Sequence, residues 1–317
     1  MGLPVTVYRH TDVGAPQLDG KVGTLLNIIQ KALVDGYGSK PGLGWTRIFY
    51  DAVTGSVIYR NNTVDGGSGG VVRFSTTDLI SVNKMIRIQV AKDASDVNTL
   101  IQPLPFLERY VNSSTTSWEI IGTSRGFYLN GMSSSSLNMN YETSAQWLLF
   151  LGDIISYWQN DSGEFTMVTG VAVTVDQTIN SASYNLGGNS TINAMLYNTD
   201  NTDIILNYKV QPTPWQYQNS NSTYNNAQPI ENNLTVTLTP AVLANTVPTS
   251  LDANGVMNIL SKVSPMCRGQ IAGLYISPMG CYSQSNRPVD VVFGGVNYTR
   301  LLGSYGSLLW VNTVEWY

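Results

Sequence analysis

Apolar residues recur in this chain with two different periods. From Lys21 to Asp35 they fall at Val22, Leu25, Leu26, Ile29 and Leu33, one face of a helix. Asp19 is placed to start that helix, and Gly36 and Gly38 to end it. Almost everywhere else the period is two. Val5 and Val7 alternate, and so do "GWTRIFYD" and "SVIYR", which flank the turn residues Val53, Thr54 and Gly55 as a hairpin would. "GGVVRFS", "MIRIQVA", "SWEIIGTSRGFYLN", "VTGVAVTV" and "TDIILNYKV" are short, β-branched or aromatic, and bounded by turn residues. A second helix is expected at Ser95–Leu104, limited by Pro103 and Pro105, and a weaker one at Leu251–Lys262. "VDGGSGG" at Val64–Gly70 reads as an exposed hairpin tip.

The pattern predicts a mainly β (α+β) protein: a β-sandwich or barrel-like domain over residues 1–317, with one N-terminal helix packed on it. The span from about 176 to 254 differs in texture and reads as an insertion or peripheral elaboration. Within it, Gln216–Asn233 is nearly all Asn, Ser, Gln and Tyr, too polar to build a core and too long for an ordinary connection. With Trp215, Tyr217 and Tyr224 it is expected to act as a surface arm that contacts a neighbouring subunit, because aromatic contact area offsets the entropy of ordering a polar loop.

Composition narrows the function. Only 12% of the 317 residues are charged, 43% are hydrophobic, and the net charge is −4. The hydrophobic share is enough for a full core. No basic patch of the size a phosphate backbone requires is visible, so direct nucleic-acid binding is not expected. The low charge suits a protein partly covered in an assembly, a homo-oligomer within a symmetric particle. No run reaches the roughly 18 apolar residues of a membrane helix. The longest, "WLLFLGDIISYW", is interrupted by Gly152 and Asp153.

Candidate chemistry is sparse. His10 is the single histidine and reads as packing rather than catalytic. Cys267 and Cys281 read as buried or idle thiols, with no metal-ligand spacing around them. No cofactor motif and no metal site is expected. Glu119, Asp153 and Asp161 are carboxylates of the type that hydrolysis needs. Asp153, after Gly152 between two apolar runs, reads better as a buried residue holding a turn. A glycan-binding reading rests on the Tyr- and Asn-rich segment near Gln216–Asn226.

The opening stretch carries a signature: Thr11, Asp12, Gly14, Ala15 and Pro16, then Gly20, Gly23 and Leu25, then Leu33, Val34, Gly36, Tyr37, Gly38, Lys40 and Pro41, then Gly44 and Trp45. It resembles the start of a family of structural proteins of tailed bacteriophages and prophages, with a Thr-Asp-x-Gly-Ala-Pro turn and a Gly-Tyr-Gly-x-Lys-Pro helix exit. "WEIIGTSRGFYL", "FLGDIIS" and "CRGQIAGLY" resemble later segments of that family, in the same order. The region Asp176–Asn254 departs from it, and Ala32 stands where some members carry Cys. The resemblance implies a non-enzymatic virion component assembled in the bacterial host cytoplasm, in the tail or baseplate or at a fibre attachment. Capsid decoration, and a receptor- or glycan-binding module, are the alternatives. Asp12, Gly14, Pro16, Gly23, Leu26, Ile29, Gly36, Gly38 and Trp45 are then packing residues that set the helix and its entry and exit turns.

Overall fold

The alternating runs become antiparallel strands in the computed structural model, which describes residues 2–133, 147–178, 185–186, 192–200, 202, 205–210, 238–245, 265–277, 290–302 and 308–317. The protein is mainly β, with large antiparallel sheets packed together and one helix, as the periodicity predicts. Among the described residues, the larger of the two main sheets has thirteen strands and the smaller seven, and Leu3–Pro4 pairs with Glu315–Trp316 as a separate two-stranded sheet. The hairpin Thr46–Asp51 and Ser56–Arg60 forms at the edge of the smaller sheet, and the Asp51 carboxylate accepts the turn N–H groups of Val53 and Thr54.

Two cores explain the continuously apolar strands. In the larger sheet, Trp147, Leu149 and Leu151 face the first core, while Leu148 and Phe150 face the second. Its neighbours divide in the same way: Phe127 and Leu129 point one way, Tyr128 the other. A strand buried on both faces loses its polar positions, so "WLLFLGD" reads as an unbroken apolar run. The first core fills the space between the two sheets and takes in the helix; the second lies behind the larger sheet.

The second core is enclosed because the larger sheet closes on itself. From Cys267–Ser277 the order runs through Thr239–Ala244, Ile205–Val210, Asn193–Tyr197, Phe165–Thr169 and Trp147–Asp153. The chain then continues into Ile155–Ser156, which pairs back onto Gln270 and Gly269. Of the described strands between 176 and 254, Asn193–Tyr197, Ile205–Val210 and Thr239–Ala244 belong to this barrel-like ring, and Gln177–Thr178 pairs with Leu107–Val111 in the smaller sheet. Residues 211–237 and 246–264, with the expected helix at Leu251–Lys262, lie outside the described residues.

The helix spans Val22–Gln30 and continues as a wider π turn, Lys31–Asp35. An isolated helix this short is marginal in water. Burial holds it: Val22, Leu25, Ile28, Ile29, Ala32 and Leu33 are all in the first core, and each large side chain contributes roughly 1.5–3 kcal/mol. The π turn has a local cause. The carbonyls of Ala32 and Leu33 accept the N–H groups of Leu43 and Trp45 from the returning chain. Gly36 ends the turn at a φ of 75°, where a Cβ would fall 2.4 Å from the Lys40 carbonyl oxygen. Asp19 does not cap the helix. Lys21 occupies the cap, and the Asp19 carboxylate accepts the Lys21 N–H and the Thr24 hydroxyl just before it.

Two further expectations are corrected. Ser95–Leu104 is a tight turn followed by a strand, Leu100–Pro103, because the Asp96 carboxylate takes the N–H groups of Asn98 and Thr99 and folds the chain back. "VTGVAVTV" is strand only as far as Thr169. Beyond it, the Asn193 amide bonds the Gly170 carbonyl and the Thr169 hydroxyl bonds that of Val171, so side chains take the acceptors a longer ladder would use. Among the described residues no helix is long and apolar enough to cross a membrane.

Candidate functional site

The two halves of the opening motif meet on one carboxylate. The turn after the strand Thr6–Arg9 points Asp12 back at its own backbone, and Asp12 Oδ2 accepts the Arg9 N–H at 2.8 Å. The same oxygen accepts the Tyr37 hydroxyl at 2.7 Å and Lys40 Nζ at 2.6 Å, both from the helix exit. Lys40 also bonds the Val7 carbonyl. Burial works against the Asp12 charge, but the bonds from Lys40, the Arg9 N–H and Tyr37 outweigh it and hold the carboxyl below its ordinary range.

The other motif residues surround this brace. Gly14 lies in the turn that Asp12 opens, and the Pro16 carbonyl accepts the Trp118 indole N–H at 3.0 Å. The Gly23 N–H bonds the Leu79 carbonyl. Leu26 and Ile29 are in the first core, and Gly38 abuts the Val13 carbonyl. Trp45 stands edge-on to Phe127 at 5.2 Å and donates to the Thr123 carbonyl.

A second polar centre lies between the sheets, and sequence reasoning named only Asp153 and Asp161 of its members. Asp153 is fully buried. Its carboxylate accepts Asn61 Nδ2, the Ser68 N–H and hydroxyl, and Arg125 Nε. Ser68 belongs to "VDGGSGG", which is exposed at Val64, Asp65, Gly66 and Ser68 as a tip would be, yet Ser68 pins it to Asp153 and Gly70 is buried. Arg125 also donates to Glu164 at 3.2 Å and lies over the Tyr317 ring at 4.1 Å. Next to these, Arg268 Nε and Nη2 each reach an oxygen of Asp161 at 2.6 Å, with both side chains buried. Nothing in the local spacing announces Arg125, Glu164 or Arg268. The Arg in "SRGFYL" and in "CRGQ" was visible only as part of the family-like segments.

Burial, and then the nearby Asp153 charge, push the Glu164 carboxyl up to about 8 against the opposing pull of Arg125. Burial pushes Asp153 up as well. A carboxyl whose pKa rises on folding stabilises the fold most below its unfolded value, and that contribution is lost as pH climbs through the folded value. Stability should therefore fall between about pH 4.5 and about pH 8. Glu164→Gln should flatten the fall, raising Tm at pH 8 relative to wild type by at least about 2–4 °C, the size of roughly 1 kcal/mol. Scanning calorimetry across that range checks it; a parallel pH profile in the variant would refute the assignment.

Each candidate catalytic carboxylate has an arginine partner: Arg9 for Glu119, Arg125 for Asp153 and Arg268 for Asp161. His10 sits against the Trp118 carbonyl, with Nδ1 at 3.3 Å. Cys267 is a half-buried free thiol, and burial raises its pKa. Among the described residues no three His, Cys, Asp or Glu side chains gather as a metal site. Trp215, Tyr217, Tyr224 and Cys281 lie outside the described residues. Compared with models of known protein families and with curated proteins, the chain matches none.

Proposed function

We propose that this chain is a non-enzymatic structural protein of a bacteriophage particle, seated in the tail, at its distal machinery or at a fibre attachment. The observation that carries the reading is how the signature is used. Asp12, Tyr37 and Lys40, three polar residues of the phage-like motif, satisfy one another within the fold. A motif spent on internal bonds serves the shape of a subunit rather than a reaction. The arginine-paired carboxylates favour the same view, because a general acid or base needs reach to a substrate. Low charge over a large chain suits a subunit covered by neighbours in a homo-oligomeric, symmetric assembly.

Quantitative mass spectrometry of purified particles tests this. A copy number in units or tens per particle is expected for a tail part. Hundreds of copies would move the chain to the head as a decoration protein. Its absence from purified particles, with the chain present in infected cells, would overturn the virion reading.

A further inference from the structure

The ring that encloses the second core has a gap. Strand Cys267–Ser277 pairs with Ile155–Ser156 at Gly269 and Gln270, and with Leu308–Asn312 from Leu274 onward. Ile271–Gly273, between these pairings, face neither neighbour along that edge. Gly273 adopts a φ of +68°, and a Cβ there would fall 2.0 Å from the Trp316 indole nitrogen. The bare backbone lets Trp316 lie across the gap. A cleft of about 310 Å³ opens beside it, with Ile155, Gln270, Tyr275, Asn312 and Glu315 among its walls.

The polar groups of this cleft are only partly used. The Trp316 indole N–H donates to the Asn312 carbonyl at 2.7 Å and its ring is buried as the cleft floor, so the half-buried Tyr275 ring is the aromatic surface the cleft offers. Asn312 Oδ1 accepts two backbone N–H groups, from Val314 and Glu315, which leaves its Nδ2 donors unspent. Glu315 Oε2 accepts the Gly2 N–H, which leaves Oε1. The Gln270 amide and the Tyr275 hydroxyl make no hydrogen bond among the described residues. Donors and acceptors thus alternate around the Tyr275 ring, and among the described residues no lysine or arginine lines the cleft.

This inventory selects a ligand class. Among the described residues, an anion would meet a carboxylate and no cation. An apolar ligand would bury the amides of Gln270 and Asn312 without partners, at roughly 1–3 kcal/mol each. A sugar fits both halves: its hydroxyls donate and accept together, and its C–H faces pack on aromatic rings. The volume lies at the lower end of ligand pockets, about 300–1,000 Å³, and suits one or two rings.

A second observation extends the site. Beyond Ile155–Ser156 the chain presents Tyr157 and Trp158, 54% and 47% exposed. They follow the cleft-wall residue Ile155 by two and three positions, at most roughly 7–11 Å along the chain. The Tyr157 backbone N–H bonds the Arg268 carbonyl, and the Trp158 ring is held by Nε1 bonding the Cys267 carbonyl at 2.9 Å. An aromatic ring fixed before binding loses little entropy when a ligand stacks on it.

We propose that this cleft binds a neutral oligosaccharide, with one unit among Gln270, Tyr275, Asn312, Glu315 and Trp316 and the following units over Tyr157 and Trp158. The proposal stands on the cleft and holds whether or not the chain belongs to a particle. Saturation-transfer NMR on the full chain tests it. The probes are glucose, galactose, mannose, N-acetylglucosamine and their linear trisaccharides, with N-acetylneuraminic acid, glucose 6-phosphate and choline as charged controls. At least one neutral series should show transfer, with its trisaccharide tighter than its monosaccharide and the charged controls silent. Gln270→Ala and Glu315→Gln should each weaken that binding at least tenfold with an unchanged Tm. Trp158→Ala should weaken the trisaccharide and spare the monosaccharide. No transfer from any neutral sugar, preference for a charged control, or unchanged affinity in the two cleft variants would overturn the proposal. A trisaccharide indifferent to Trp158→Ala would remove the extension over Tyr157 and Trp158.

Discussion

Asp161→Ala should lower the unfolding free energy by about 3–5 kcal/mol, the usual cost of removing one partner from a buried ion pair. The Arg268 side chain is fully buried, and Asp161 takes two of its N–H groups in a bidentate pair. Nη1 has no hydrogen-bond partner already. Without Asp161 the buried guanidinium would lose its counter-charge. The loss reaches further, since the same carboxylate accepts the Ser156 hydroxyl and the Gly163 N–H. Urea unfolding measures the effect as a drop in midpoint. Replacing both partners at once, Asp161→Leu with Arg268→Met, should recover a large part of the loss, because an apolar pair of similar volume removes the stranded charge. A drop under about 1 kcal/mol in Asp161→Ala would mean that the pair is not desolvated as described.

Ile29→Asp should leave the chain unfolded or insoluble at neutral pH. Ile29 is fully buried in the core between the sheets. A lone carboxylate there costs several kcal/mol, against a total stability of about 5–15 kcal/mol for a typical protein. Two controls separate charge burial from other damage. Ile29→Val should cost only about 0.5–1.5 kcal/mol. Asn27→Asp places the same charge on the same helix at an exposed position and should be nearly neutral. Near-ultraviolet circular dichroism and soluble yield report the result. A folded, soluble Ile29→Asp protein would show that this helix face is not in the core.

The hydrophobic pattern alone determined the class of fold, the hairpin around Gly55 and the apolar face of the helix at Val22–Leu33. Those features depend on contacts two to four residues apart, and such contacts leave a period in the sequence. The helix end was legible for the same reason, since Gly36 serves a purely local turn. What lay beyond sequence reach was pairing across distance. Asp12 meets Lys40 across 28 positions, and Asp161 meets Arg268 across 107. No local spacing encodes either partner, so nothing in the pattern marked Arg125, Glu164 or Arg268 for pairing. Asp153 was recognisable as buried because its neighbours are apolar, but its four donors come from three separate segments. The cleft was the least legible feature. It exists because one strand changes partners between Gln270 and Leu274, and only the closure of the sheet into a ring decides where that happens.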